Sequence, residues 1–123
     1  MNIFDKNIQV LEKSLDLYLV RHSVISDNIA NAETPMFKAR RVDFEQELQR
    51  ASEQTEVGIG RNIASITPVI YEDPNSEVGS DLNSVDMDRE MAEMTKNDLK
   101  YSAATQAISK KFALLKYAIG EGN

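Results

Sequence analysis

Apolar residues recur at alternating intervals of four and three residues at both ends of the chain. Near the start, this repeat runs through eight positions, namely Phe4, Ile8, Leu11, Leu15, Tyr18, His22, Ile25 and Ile29. Such spacing aligns one narrow stripe along an α-helix, and a second helix normally covers a stripe of this kind. We therefore predict a first helix over about residues 3–31, with Asn2 as its N-cap and Thr34-Pro35 beyond its end.

The last third of the chain carries the same repeat. It runs through ten positions, two of them polar: Met87, Met91, Met94, Asp98, Tyr101, Thr105, Ile108, Phe112, Leu115 and Ile119. Asp86 is placed to cap the helix, and Asp88 and Glu90 follow in the first turn, where the helix dipole favours negative charge. Gly120 is a typical stop signal. These features predict a second helix over about residues 86–119.

Between the two repeats, over about residues 32–85, the apolar pattern is irregular and turn-forming residues are frequent. We expect Phe37–Arg41 to be extended, Val42–Ala51 to form a short helix and Ile63–Tyr71 to include a short strand. The predicted fold is therefore mainly α. Two long terminal helices pack as an antiparallel coiled-coil hairpin, and a loop-rich middle segment carries a short helix and a short β element. The chain length predicts a single domain, 1–123.

Charge and composition exclude several function classes. The net charge is −6, whereas nucleic-acid-binding proteins normally carry a basic surface, so no nucleic-acid partner is expected. The chain has no cysteine and one histidine, which excludes disulfides, thiol nucleophiles and the usual zinc ligand sets. We predict no enzyme activity, no cofactor, and no catalytic or metal-binding residues. A carboxylate-based hydrolase is the remaining enzyme class, but the acidic residues lack an apolar pocket that would shift their pKa values.

The segment Ser26–Ala39 resembles the signature of flagellar rod, hook and hook-associated axial proteins. Its matching positions, which we regard as an assembly motif, are Asn28, Ile29, Ala30, Asn31, Thr34, Pro35, Phe37 and Lys38. Two later segments, 83–91 and 97–101, are similar to the proximal rod subunits within that family. The resemblance covers almost the whole chain. It identifies the chain as a suspected proximal rod subunit.

The resemblance implies a structural role. Subunits of this family assemble through their terminal helices into a tube that transmits torque and surrounds the export channel of the flagellar basal body. The implied partners are other copies of the chain, rod proteins of the FlgC and FlgF types, a FliE-type adaptor, the MS ring and the flagellar type III export apparatus. The implied location is the periplasmic rod. Export would need no cleaved signal peptide, and the sequence shows neither such a signal nor an apolar stretch of about 20 residues that could span a membrane.

Two readings remain open beside this one, namely another rod subunit of the same family and an autonomous coiled-coil adaptor. Within the motif, the amides of Asn28 and Asn31 are suited either to cap backbone groups or to reach a neighbouring subunit. The basic residues Lys38, Arg40 and Arg41 are expected to be solvated, with contact to an acidic neighbour as the alternative. Met36 stands where the family has glycine, and because positive φ would strain methionine, we predict a turn with negative φ there.

Overall fold

The computed structural model describes residues 3–54 and 63–120. Within these ranges, the side chains of residues 3–5 and 54 are not described. The proposed cap Asn2 lies outside the described residues. The elements follow in the order α1 (Ile3–Ala30), β1 (Arg40–Asp43), α2 (Glu45–Gln54), a 3-10 helix (Ile63–Ser65), β2 (Val69–Glu72) and α3 (Met87–Gly120). The predicted fold class is confirmed, since two long terminal helices pack together and the middle segment contains a short helix and a two-stranded sheet.

The start of α3 is capped as predicted. The Asp86 side chain accepts hydrogen bonds from the backbone N–H groups of Asp88 and Arg89, at 3.1 and 3.4 Å. These N–H groups have no partner inside the helix, so the cap satisfies them. Asp88 and Glu90 add negative charge to the same turn.

The hydrophobic core lies between α1 and the middle segment. Leu17 and Val24 supply it from α1, and the middle segment contributes five buried residues: Val42, Phe44, Ala51, Ile63 and Ile66. Tyr18 packs edge-to-face on Phe44, with ring centroids 5.6 Å apart. The short α2 and the 3-10 helix are therefore held against α1 mainly by apolar burial.

The core face of α1 lies beside the stripe that the repeat defines. Of that stripe, Ile25 is buried and His22 is exposed, while Phe4 lies outside the described side chains and five others are half-buried: Ile8, Leu11, Leu15, Tyr18 and Ile29. The core face of α1 also carries three polar residues, Ser14, Arg21 and Asn28. Because they interrupt the apolar residues of this face, a hydropathy pattern does not reveal it.

On α3, the most buried row is Glu90, Asn97 and Ala104, which are spaced by seven residues. One half of the predicted stripe flanks this row and is half-buried: Met94, Tyr101, Ile108 and Leu115. The other half, together with Met87, is exposed: Met91, Asp98, Thr105, Phe112 and Ile119. The interface is therefore rotated by one residue towards polar and small side chains.

The two strands form an antiparallel hairpin in which Arg41 pairs with Tyr71 and Val42 with Ile70. All four residues of β2 are exposed, so this strand is the outer edge of the sheet. Neither long helix, within the described part of the chain, has an apolar stretch long enough to cross a membrane.

The prediction for Met36 is wrong. Its φ is 65°, and Leu82, at 63°, is the other non-glycine residue with positive φ in the described ranges. The Phe37 N–H donates to the Thr34 carbonyl, which closes a turn with Pro35 second and Met36 third. This is the type II arrangement, whose third residue needs positive φ. The Met36 N–H also donates to the backbone carbonyl of Asp81, at 3.0 Å. Hydrogen bonds on both sides therefore hold the methionine in the strained conformation.

Candidate functional site

The two segments that carry the resemblance meet in space. Residues 28–41 run from the last turn of α1 into the hairpin, and residues 83–90 run from the preceding loop into the first turn of α3. We call their contact region, with Asp73, the motif junction. Backbone hydrogen bonds link its loops, since the Ser84 N–H donates to the Phe37 carbonyl, at 3.0 Å. The Ser84 hydroxyl accepts from the Ala39 N–H, at 2.8 Å.

Asn28 is the fully buried centre of this junction. Its amide nitrogen donates to the Arg40 carbonyl, at 2.9 Å, and its amide oxygen accepts from the Arg40 N–H, at 3.0 Å. The side chain thereby takes the place of a third strand on the inner edge of β1. The same nitrogen donates to Glu90, at 3.0 Å, so one amide connects α1, β1 and α3.

A buried ion-pair network surrounds Asn28. Arg41 donates to both carboxylate oxygens of Glu90, at 2.9 and 2.7 Å, and its Nε donates to Asp73, at 3.0 Å. Arg89 completes the network with a 2.8 Å contact to Asp73. Glu90 is fully buried and Asp73 nearly so. Arg41 is therefore not solvated, and the expectation for this residue is wrong because two carboxylates of its own chain enclose it.

The charges of the network shift its pKa values. Burial alone would raise the pKa of Asp73, but the Asn75 N–H and the Arg41 and Arg89 guanidinium groups outweigh it, so this pKa lies below its usual range. Burial likewise opposes the charged form of Arg41, yet its hydrogen bonds to Glu90 and Asp73 raise its pKa. The Asp73 carboxylate and the Arg41 guanidinium are thus held in their ionised forms.

The rest of the motif is also used within the chain. Asn83, which is buried, donates to the carbonyls of Asn31 and Thr34, at 2.8 and 2.7 Å. The Asn31 amide donates to the Asp27 carbonyl and accepts from the Thr34 hydroxyl. Lys38 donates to the Leu82 carbonyl. Ile29 and Phe37 are half-buried, and Ala30 and Pro35 are exposed.

These contacts define what the site can do chemically. The amides of Asn28 and Asn31, for which capping and crossing to a neighbour were both open, bind backbone groups of their own chain. No group of three potential ligands among His, Asp and Glu could hold a metal ion within residues 3–54 and 63–120. The motif junction is a hydrogen-bonded joint that fixes the angle between the two long helices and the middle segment.

Four residues on which this joint depends are not predicted from the sequence as buried partners: Arg41, Asp73, Asn83 and Glu90. They are polar, and polar residues usually occupy surface, turn or cap positions. The available signal was that Asn83 and Glu90 lie in the second segment of the family resemblance, where polar residues with no evident surface role are candidates for buried pairing.

A second surface differs from the junction. The side of α3 that faces away from α1 carries Leu99, Leu114 and Tyr117, which are 67%, 60% and 64% exposed. Their spacing places them along one side of the helix, and we call this the outer face of α3. Asn28 and Glu90 are hydrogen-bonded, so they lie at the same level of the two antiparallel helices. From this level α3 continues for thirty residues to Gly120, whereas α1 extends back only twenty-five residues to Ile3. The last turn of α3 therefore lies beyond the described start of α1.

Comparison with known proteins agrees with the motif resemblance, although no protein-family model matches the chain. The chain is 34% identical to the flagellar basal body rod protein FlgB of Borrelia hermsii, over 91% of this chain and 94% of that protein. It is 34% identical to FlgB of Aeromonas hydrophila over 96% of each chain. The identity to FlgB of Bacillus subtilis is 31% over 99% of each chain. The chain therefore belongs to the FlgB family, and it is a structural, non-enzymatic subunit of the flagellar basal-body rod.

Proposed function

We propose that the chain builds the proximal rod through its terminal helices, which pack side by side with those of neighbouring subunits into a tube. The tube surrounds the export channel and carries torque through side-chain packing. In this arrangement α1 and α3 form one structural unit, and the outer face of α3 supplies the contact between units. The observation that carries the proposal is the exposure of large apolar residues on that face.

The outer face has the chemistry of an interface. Leu99, Leu114 and Tyr117 lie on the same side of one helix. Phe112 and Ile119, 50% and 74% exposed, lie beside the row that faces α1, so exposed apolar residues occur on two sides of the last turns. Several large apolar side chains left exposed on one helix often mark a contact with another protein. Full burial of one such side chain contributes about 1.5–3 kcal/mol, so several together can hold subunits in an assembly.

The motif junction has the opposite role in this proposal. Its amides and charges are satisfied inside the chain, so they offer few unpaired groups to a neighbour. Its contribution is to hold α1 and α3 at a fixed angle, which a regular tube requires of every subunit. The assembly motif of the sequence would therefore act by positioning the helices.

The implied neighbours in the rod are further copies of the chain, FlgC-like and FlgF-like rod proteins, and the FliE-type adaptor and MS ring at the base. Delivery to the periplasm would use the flagellar type III export apparatus without a cleaved signal. These assignments rest on membership of the FlgB family.

Replacing Leu114 with glutamate tests the proposal. Because Leu114 is exposed, the isolated chain should unfold at an unchanged urea concentration, with a free-energy change within about 0.5 kcal/mol. Rod assembly should nevertheless be lost, because a charge would be buried without a partner between subunits. Basal bodies purified from the variant strain and viewed by electron microscopy would lack rods, and the cells would not swim.

The matched control is Ser109→Glu, which adds the same charge at an exposed position on another side of the same helix. Cells with this variant should swim. Normal rods in cells that carry Leu114→Glu would contradict the proposal that the outer face of α3 joins the subunits.

A further inference from the structure

A cleft of about 310 Å³ opens beside the motif junction, between α1, α3 and the hairpin. Its lining is rich in cations, which are Arg21, Arg40, Arg41, Arg89, Lys96 and Lys100. Three carboxylates, Glu45, Asp73 and Glu93, share the lining, and Glu90 binds Arg41 from beneath it. Asp27, which also lies outside the lining, pairs with Arg40. Six cations against these five carboxylates leave an excess of one positive charge in a chain whose net charge is −6. We call this feature the basic cleft.

Not all of these cations are neutralised. Lys96 forms no hydrogen bond or ion pair with the residues that the structure describes. Arg40 reaches Asp27 with one terminal nitrogen, at 3.2 Å, but its Nε is buried and has no hydrogen-bond partner in the described chain. A buried N–H donor without an acceptor is costly, so a rearrangement of the Arg40 side chain that exposes this donor to an acceptor in the cleft would relieve the cost.

Asn97 carries an unsatisfied acceptor, in contrast to the unsatisfied donor of Arg40. It is 2% exposed, lines the same cleft, and donates from its amide nitrogen to the Tyr18 carbonyl, at 2.9 Å. This bond fixes the orientation of the amide, because the reverse orientation would place two acceptors together. The Oδ1 of Asn97 is then a buried acceptor that no described group satisfies. This atom is covered in the free chain, so a donor from an occupant of the cleft would reach it only after neighbouring side chains move.

We propose that the basic cleft binds an acidic segment of a neighbouring rod subunit, an inference that rests on the proposed function. A glutamate or aspartate side chain of that segment would accept from Arg40 and pair with Lys96. A backbone N–H of the same segment would donate to the Oδ1 of Asn97. A phosphate group offers acceptors for the cations but no comparable donor for Asn97, so the pair of unsatisfied groups favours a peptide.

The size and charge of the cleft agree with this occupant. Its volume lies at the lower end of the range of about 300–1,000 Å³ that is typical of ligand sites, which suits a side chain with adjoining backbone. The positive excess would attract an acidic segment and disfavour a basic one. The cleft therefore supplies polar specificity next to the apolar packing of the long helices.

Nuclear magnetic resonance can test the site on the folded chain with two blocked pentapeptides that differ in one residue. The probes are Ac-Ala-Ala-Glu-Ala-Ala-NH2 and the same peptide with glutamine in place of glutamate. The glutamate peptide should cause a saturable shift of the Asn97 side-chain amide signal at concentrations up to about 10 mM, the weak end of specific binding. The glutamine peptide and inorganic phosphate should cause little shift at that signal.

Three variants sharpen the result. Lys96→Gln should weaken binding of the glutamate peptide severalfold, whereas Lys110→Gln, the same change at an exposed position further along α3, should leave it unchanged. Asn97→Leu should raise or preserve resistance to urea, because it removes an unsatisfied buried acceptor, and should abolish the peptide-induced shift at the Arg40 backbone amide. Equal shifts with phosphate, equal binding by Lys96→Gln, or no saturable shift would overturn the proposal.

A cross-linking experiment in the assembled rod separates this proposal from the proposed function. A photoactivatable benzoyl-phenylalanine at position 96 or at position 110 would be irradiated in swimming cells, and the joined peptides identified by mass spectrometry. We expect position 96 to capture a segment with aspartate or glutamate from a neighbouring rod subunit, whether a second copy of the chain or another rod protein. Capture of a non-acidic segment at position 96 would refute the acidic-segment proposal and leave the rod assignment standing. Absence of rod proteins from the products at both positions would contradict both.

Discussion

The motif junction and the outer face of α3 bury and expose side chains in opposite ways. In the junction, charged and amide side chains are buried and hydrogen-bonded to one another, with Glu90 and Asn28 fully enclosed. On the outer face, leucine and tyrosine are largely exposed to solvent. A protein whose only task was to fold would be expected to show the reverse arrangement.

The difference separates two tasks. Buried polar contacts form only when every partner is correctly placed, so they can fix one arrangement of the two helices and the hairpin, whereas non-directional apolar contacts would tolerate several. Exposed apolar residues contribute little to the isolated chain but gain free energy when a neighbour covers them. The polar region therefore defines the shape of the subunit, and the apolar region is available for assembly.

Removal of Glu90 should have the largest effect on this comparison. Glu90→Ala leaves Arg41 buried without its bidentate partner and Asn28 without one acceptor, so we expect the free energy of unfolding to fall by about 3–5 kcal/mol. Urea unfolding followed by circular dichroism would measure it. The control Asp98→Ala removes an exposed carboxylate from the same helix and should change the free energy by less than about 0.5 kcal/mol.

A double replacement sharpens the same point. If the cost of Glu90→Ala arises from the unpaired charge, Glu90→Leu combined with Arg41→Met should cost less than Glu90→Ala alone, because no buried charge is stranded. A loss below about 1 kcal/mol for Glu90→Ala would show that the junction does not hold the fold together.

Acid should weaken the junction in a predictable direction. The pKa of folded Asp73 is lowered, so its contribution to stability is fully present above the unfolded value of about 3.9 and is lost as the pH falls through the folded pKa. Asp73→Asn should cost about 1.5–3 kcal/mol at neutral pH, where the wild-type carboxylate binds Arg41 and Arg89. It should also show a smaller further loss below pH 4 than the wild-type chain.

Urea midpoints measured across that pH range would check both statements. Glu77→Gln removes an exposed carboxylate from the following loop and serves as the neutral-pH control, with an expected change within about 0.5 kcal/mol. Parallel pH profiles for Asp73→Asn and the wild-type chain would contradict the assigned role of Asp73.

The smallest expected effect concerns the turn at Met36. Positive φ costs a non-glycine residue about 1–2 kcal/mol, and replacement by glycine would relieve this strain. Part of the relief is offset because glycine has more conformational freedom to lose when the chain folds. Met36→Gly should therefore stabilise the chain by up to about 1 kcal/mol. Met36→Ala shortens the side chain without relieving the backbone, so it should leave the thermal midpoint nearly unchanged; an equal gain from alanine would show that the strain lies in the side chain.

The sequence predicted the long helices because their apolar repeats are unbroken over many turns, and it predicted the cap at Asp86 from local chemistry alone. It did not predict the core face of α1, because Ser14, Arg21 and Asn28 interrupt the apolar pattern there. The structure shows that Arg21 lies over the Phe44 ring, 4.4 Å from its centroid, and binds Glu45, so a polar residue belongs to that face. Hydropathy cannot identify a buried polar residue without knowledge of its partner.

The same reason explains the rotation of the α3 interface. Its buried row contains Glu90 and Asn97, whose partners lie 49 to 79 residues away in the chain. A repeat based on apolar residues therefore selected the neighbouring row, and part of that row, including Phe112 and Ile119, is exposed. The role of the predicted stripes in assembly stays a prediction, as does the division of the chain into one domain.

The most direct test of the account compares side-chain accessibility in the free chain and in the assembled rod. Hydroxyl-radical labelling followed by mass spectrometry reports Leu99, Leu114 and Tyr117 on the outer face, and Met36 beside the motif junction. The account predicts that labelling of the three outer-face residues falls severalfold on assembly. Outer-face residues that are labelled as strongly in the rod as in the free chain, with protection confined to Met36, would contradict the claim that α3 joins the subunits.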